Sequence, residues 1–396
     1  MSSWFSQITS TVSNVTGLGT TVESIKTVAD TVVDGQYYTP LDEHDLDWTL
    51  ASGSSTENQV FYITTPAGGF AFVQLIHSNI GLWNPTISFT CRFYDPATKT
   101  NLFKTITMSS KFELSSDKRS VKTEFFNITL DPTQSKYQVQ ITHPELMISL
   151  EFNRIDKGFK VGEGKTYLGG DQASSAAGFV SHKFWPRCQA SGTFILKPQP
   201  TEDQPVQQQQ LFEVKGDGVF IHAIQGMQPQ LIASNWNFLN FHSKDASIAM
   251  MQFQTTKQYG SVNINQGSLV LNDKLICVSV DNTVELMDLY KDEETEYNIP
   301  KKVKCTWKGK TIKEKEGDEA KDVDIVMTVP VQNLIDKIDV LGEIPYFIRK
   351  LVQTFVVKPY IYQWLDTATA EITIAGEETI KTEGQIFQEL VFVSGF

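Results

Sequence analysis

The side chains best suited to chemistry stand far apart in this chain. Its six histidines, His44, His77, His143, His182, His222 and His242, occur singly. Its four cysteines, Cys91, Cys188, Cys277 and Cys305, form no CxxC pair and have no histidine at ligand spacing. Zinc sites and disulfide frameworks need such clustering, so neither a metal nor a cystine scaffold is expected, and scattered thiols suit the cytosol. No GxSxG, HExxH or phosphate-binding loop occurs, and the glycines of KVGEGKTYLGG (160–170) lack the strand-to-helix setting of a phosphate cradle. Two histidines sit in apolar blocks, His182 in HKFWPR and His222 in VFIHAIQGM. A lone strand histidine is ordinarily a satisfied structural residue; the alternative is a buried acid, base or ligand contact. Glu343 reads either as a buried acid with a raised pKa or as a helix-end carboxylate facing water. These groups compose no catalytic set, and no enzyme is expected from them.

The elements that must position them are mostly strands. Ile87, Phe89, Cys91 and Phe93 alternate with polar neighbours, as do Tyr137, Val139 and Ile141, and Leu146, Ile148, Leu150 and Phe152. Each run is a half-buried strand, and many short strands separated by NP, DP and SSDK turns predict a sandwich or barrel. LVLNDKLI predicts a hairpin turned at Asn272–Asp273. Residues 198–210, PQPTEDQPVQQQQ, cannot contribute to a core and mark a boundary. The division expected is a leader at 1–36, a first domain at 37–200, a linker at 201–210 and a second domain at 211–396. Between 331 and 365 the apolar spacing turns to three and four, which predicts one or two short helices. This insertion, at 331–357, is a candidate lid, with Phe347, Leu351 and Phe355 on it; filling a sheet face is its other possible role.

The leader is distinct. Trp4, Phe5, Ile8, Val12, Val15 and Leu18 gather on one side of a helix, and no charge precedes Glu23. Val22, Ile25, Ala29, Val32 and Val33 continue a drifting stripe past Gly17 and Gly19. Such a helix either lies in a membrane interface, held by inserted apolar area, or packs on the domain behind it. It has no basic n-region, and no stretch approaches ~18 uninterrupted apolar residues, so neither a signal peptide nor a span is expected. Sequons stand at Asn14 and Asn127; a cytosolic chain leaves them unused. A net charge of −12 without a basic block argues against nucleic acid as a partner. What remains is apolar capacity. Trp236, Phe238, Met250, Met251, Phe253 and Trp307 suit a barrel lining for one acyl chain, and equally an ordinary core.

GDGVFIHAIQGMQPQLIASNWNF (216–238), GEIPYFIRKLV (342–352), KPYIYQW (358–364), HKFWPR (182–187), IDKGFKVGEGK (155–165) and SNIGLW (78–83) together resemble the fungal survival-factor family. The resemblance spans roughly residues 37–396. It implies an all-β protein of two lipocalin-like (calycin) β-barrel domains, with an N-terminal amphipathic helix and a short helical insertion in the second domain. It further implies ceramide or a related sphingolipid as ligand, carried non-vesicularly from endoplasmic reticulum to Golgi in support of survival under oxidative stress. Pocket candidates are then Trp185, His222, Trp236, Phe238, Met250, Met251, Phe253, Phe347, Leu351 and Phe355. The implied location is cytoplasmic, peripheral to Golgi and endoplasmic reticulum membranes, with the nucleus as a further site. Attachment would run through the leader, assisted by N-acetylation at Ser2 after Met1 removal. The leader departs from the family pattern in being longer and uncharged at first. The resemblance carries no catalytic motif and no cofactor. Two alternatives stand beside it: a lipid-modifying enzyme like the carotenoid hydratases of double-lipocalin type, and a stress-response scaffold that binds no lipid.

Overall fold

The computed structural model describes residues 22–32, 35–79, 85–108, 111–197, 209–315, 317–343 and 359–393. The membrane-facing set Trp4, Phe5, Ile8, Val12, Val15 and Leu18, the acetylation candidate Ser2, and Phe347, Leu351 and Phe355 lie outside these residues.

Two antiparallel sheets hold most of the described residues. The first contains β1 (Ser55–Thr64), β2 (Phe70–Asn79), β3 (Thr86–Asp95), β4 (Thr100–Met108), β5 (Phe126–Leu130), β6 (Lys136–His143), β7 (Leu146–Arg154), β8 (Gly178–Leu196) and β9 (Gln210–Gln225). Its order is β4-β3-β2-β1-β9-β8-β7-β6-β5, continued by the short strands Val121–Lys122 and Glu113–Leu114. The curled path stays open, a half-barrel. The second contains β10 (Ala233–His242), β11 (Ala246–Thr255), β12 (Asn263–Leu271), β13 (Lys274–Met287), β14 (Lys302–Thr311), β15 (Asp322–Pro330), β16 (Leu334–Asp339), β17 (Tyr360–Ile374) and β18 (Ile380–Phe392). There β15 pairs with β17 as well as β14, so eight strands close into a barrel and β16 adds to the far end of β17.

Alternation explains the layers. The apolar rows of β3, β6 and β7 fill the concave side of the half-barrel, where they join Phe61, Trp185, Phe194 and Phe220. Leu239, Met250, Trp307 and Trp364 belong to the closed barrel's interior. A third apolar cluster glues the sheets together: Tyr62, Phe70, Phe72, Phe184 and Ile221 of the first pack with Trp236, Phe238, Phe253 and Phe387 of the second. Phe70 stacks on Phe387 at 4.1 Å, and Tyr62 on Phe238 at 4.7 Å. Polar ties flank this junction. Arg92 pairs with Asp336, and Arg187 donates to the Lys244 carbonyl at 3.1 Å. Arg187 stands in a bulge of β8, beside Pro186, which lacks the N–H a ladder needs.

Several expectations change here. The proline- and glutamine-rich stretch joins β8 to β9, which pair with each other from Leu196↔Gln210 onward, so it does not lead from one sheet to the next. The change of sheet falls after Gln225, at residues 226–232, and the boundary expected at 201–210 moves there. Residues 334–339 are a strand, not a helix. Their three-residue spacing arises from a bulge between Leu334 and Asp336, which brings Ile335 and Ile338 inward and leaves Leu334 exposed. Among the described residues of the predicted insertion, only Val340–Glu343 makes a helical turn; residues 344–358 and Glu343's side chain lie outside the described residues. Residues 22–32 do not carry on the helical stripe expected of the leader. Ile25–Lys26 pairs with Tyr167–Leu168, Val28 is buried in the inter-sheet cluster, and Glu23 N–H donates to the Gln258 carbonyl at 2.9 Å. The hairpin at Asn272–Asp273 forms as expected, with φ of 47° and 64° at its two turn residues.

Candidate functional site

Sequence reasoning grouped Trp236, Phe238, Met250, Met251 and Phe253 as one lining, and the structure divides them. Met250 faces the closed barrel's interior. Trp236, Phe238 and Phe253, with partly buried Met251, are on the outer face against the first sheet. His182 also lies at this junction, 3.0 Å from Gln266 Nε2, and burial pulls its pKa down to about 3. Trp185 and His222 occupy a third place, the concave interior of the half-barrel, where Trp185 stands 5.1 Å from Phe220.

That interior has a polar end. Glu57 and Gln59 share the inward face of β1 with Phe61, and His222 shares that of β9 with Phe220. Pairing sets His222 opposite Gln59, and His222 Nε2 lies 2.8 Å from Glu57 Oε1. Both side chains are buried, at 0 % and 2 % exposure. Glu57 also accepts the N–H groups of Thr49 and Leu50, at 2.9 and 2.7 Å. Leu50 holds a positive φ of 44°, unusual for a branched residue, and the carboxylate fixes the N–H that this backbone presents. Burial alone would push the Glu57 carboxyl up, but His222 and the two N–H groups outweigh it and leave the pKa below its ordinary value. The ionised carboxylate accepts only, so His222 Nε2 carries the proton of this contact.

A strap of residues 41–54 covers the end. Its Trp48 ring lies 5.6 Å from that of His222 and 5.1 Å from Phe112. Lys160 holds the strap through Asp42 and Asp45, at 2.9 and 2.7 Å, and Arg119 through Asp47 at 2.9 Å. His77, whose pKa burial lowers, lies 5.0 Å from Phe112, and Gln59 Nε2 donates to Tyr137 Oη at 3.4 Å. Tyr137 in turn lies 5.0 Å from Trp185. Four buried polar atoms along this chain of contacts have no protein partner: Trp48 Nε1, Gln59 Oε1, Trp185 Nε1 and His222 Nδ1. Buried polar atoms are normally satisfied, so two indole N–H groups, an amide oxygen and an imidazole nitrogen left over beside one apolar interior mark a place for a polar ligand group or bound water.

Other buried polar atoms also lack a partner, among them both amide atoms of Asn240, Gln363 Oε1 and Gln388 Nε2. An open groove of about 570 Å³ on the outside of the closed barrel is lined by threonines, Glu371 and Glu383 and lacks apolar depth. Among the described residues no three potential metal ligands gather, and no helix is long and apolar enough to cross a membrane. Glu57, Gln59 and Trp48 went unnoticed in the sequence. The only available signal was that Glu57 and Gln59 fall in phase with Phe61 and Ile63.

A half-barrel and a closed barrel packed face to face define a lipocalin-like double-barrel protein. In structure the chain is similar to CghA, with a TM-score of 0.60 at 10 % identity over 95 % of this chain and 100 % of that one. It is likewise similar to the AttH protein of Nitrosomonas europaea, with a TM-score of 0.54 at 13 % identity over 91 % and 98 %. These likenesses show the fold alone. The chain belongs to the Svf1 family, whose model matches residues 2–394. Its relatives include the ceramide-binding protein svf1 of Schizosaccharomyces pombe, 30 % identical over the whole of both chains. The ceramide-binding protein svf-1 of Neurospora crassa is 32 % identical over 94 % of each chain.

Proposed function

We propose that the protein is a non-enzymatic ceramide carrier whose ligand head sits at the polar end of the half-barrel interior. The observation that carries this reading is the set of unpartnered atoms around the Glu57–His222 pair. A ceramide head has an amide carbonyl to accept from Trp48 or Trp185 Nε1. Its amide N–H and hydroxyls can donate to His222 Nδ1 and Gln59 Oε1. The apolar rows of β3, β6 and β7 continue from that end and suit acyl and sphingoid tails. The names of the relatives support the same ligand. The strap is the cover, since its outer anchors are side-chain ion pairs that can open and re-form.

The leader helix of residues 1–18 docks on endoplasmic reticulum and Golgi membranes, and residues 22–32 tether it to the junction of the sheets. Transfer between these membranes then supports sphingolipid homeostasis and survival under oxidative stress. The test is native mass spectrometry of protein purified from a ceramide-containing host. Co-purifying ceramide is expected, lost when His222 and Gln59 are both replaced by leucine; apo protein from such a host would overturn the reading.

A further inference from the structure

Lys183 is one buried charge that the described contacts leave unused. It is 6 % exposed, on β8, and pairing places it opposite His222 on the same face as Trp185. It makes no ion pair or hydrogen bond among the described residues. The two carboxylates whose charges act on it are engaged elsewhere: Asp45 with Lys160 at 2.7 Å, Glu57 with His222, Thr49 and Leu50. An ammonium group on a side chain this nearly buried, with no acceptor on the protein, is unfavourable unless the little water that reaches it or a ligand supplies one. Burial accordingly pulls its pKa down, with nearby Lys165 and Lys160 adding to the effect.

We infer that Lys183 is the specificity residue of the lipid site: its ammonium donates to the acyl oxygen of an N-acylated sphingoid lipid and repels the free, cationic sphingoid base. This rests on the half-barrel interior being the ceramide site. The two lipids share a tail and hydroxyls and differ at the nitrogen. In the acylated form that nitrogen is a neutral amide beside a carbonyl, which can accept from Lys183 Nζ as well as from Trp185 Nε1. In the free base it is an ammonium, which would bring a second positive charge to Lys183 in a poorly screened interior. Glu57, the carboxylate that could offset it, is already held by three donors. Discrimination therefore comes from an attractive contact to one ligand and a repulsive one to the other.

The experiment measures binding of a short-chain ceramide and of sphingosine to the full-length protein by quenching of tryptophan fluorescence. It is run on the wild type, Lys183→Met and Lys183→Arg, with thermal melts as the control for folding. The wild type should bind ceramide at least tenfold more tightly than sphingosine. Lys183→Met should weaken ceramide severalfold, tighten sphingosine and bring the ratio near one, whereas Lys183→Arg should keep most of the preference. A preference unchanged in Lys183→Met, or absent from the wild type, overturns the role of Lys183 while ceramide binding itself stands. Failure of the wild type to bind ceramide overturns the carrier reading and this one with it. If Lys183→Met melts well below the wild type, Lys183→Gln replaces it and is judged by the same ratio.

Discussion

His222 on β9 and Glu57 on β1 meet at 2.8 Å with both side chains out of reach of solvent, and the backbone of the covering strap closes on the same carboxylate. The pair thus joins two strands and a non-strand segment through one charged group. Glu57→Ala would leave an imidazole N–H and two backbone N–H groups buried without an acceptor. Roughly 3–5 kcal/mol of stability should be lost, a range typical of removing one member of a buried pair. Glu57→Gln, which keeps one acceptor oxygen, should lose less. Urea denaturation of the three proteins checks the order.

Trp48→Phe and Trp185→Phe keep most of each ring's packing and delete one N–H that has no protein partner. If those groups hold the ligand, each change should weaken ceramide binding by roughly twofold to tenfold, the worth of one hydrogen bond of about 0.5–1.5 kcal/mol. Melting temperature should move little. A calorimetric titration beside a thermal melt separates the two effects.

The leader supplies a third expectation. Phe5→Asp or Ile8→Glu places a charge on its apolar stripe and should abolish flotation with liposomes while both sheets stay folded. With no charge before Glu23, flotation of the wild type should survive high salt. Flotation unchanged in either variant would rule out the membrane-binding helix.

Acid should loosen the junction between the sheets. His182 and His242 are each held down to about 3 by burial, against an ordinary value of 6.5. Between those values the unfolded chain binds protons that the folded one does not. Stability is therefore full above about 6.5 and falls as pH drops toward 3, by roughly 1 kcal/mol per pH unit for each histidine. Urea midpoints at pH 7.5 and 5 should differ more in the wild type than in the variant with both His182→Gln and His242→Gln.

What could be read from the sequence followed from where one face of a strand is dry and the other wet. Tyr137, Val139 and Ile141 are buried and alternate with exposed Gln138, Gln140 and Thr142, and their strand and inward face were both legible. β10 and β11 gave no such contrast, because the outside of the closed barrel is itself covered by the first sheet. Trp236 and Phe253 outside and Leu239 and Met250 inside are all apolar, so periodicity could not separate lining from junction. The helical spacing at 334–338 was produced by a bulge, a backbone event with no residue signature here. Of the site, His222 and Trp185 were legible from their apolar surroundings. Glu57 was not, since a carboxylate opening a strand ordinarily faces water, and only the distant His222 and the strap make its burial tolerable.

The antiparallel ladder between β8 and β9 has a practical corollary. It runs from Leu196↔Gln210 to Val180↔Gln225, the longest pairing among the described residues, and the chain crosses between its strands through residues 197–209. A break in the covalent chain at that crossing would separate two fragments that still share the whole ladder, with Lys183 and Trp185 on one and His222 on the other. The protein is thereby a natural candidate for fragment complementation. Two separately expressed halves, held together by nothing but main-chain pairing along this ladder and side-chain packing, would report by their reassembly whether the lipid site had formed.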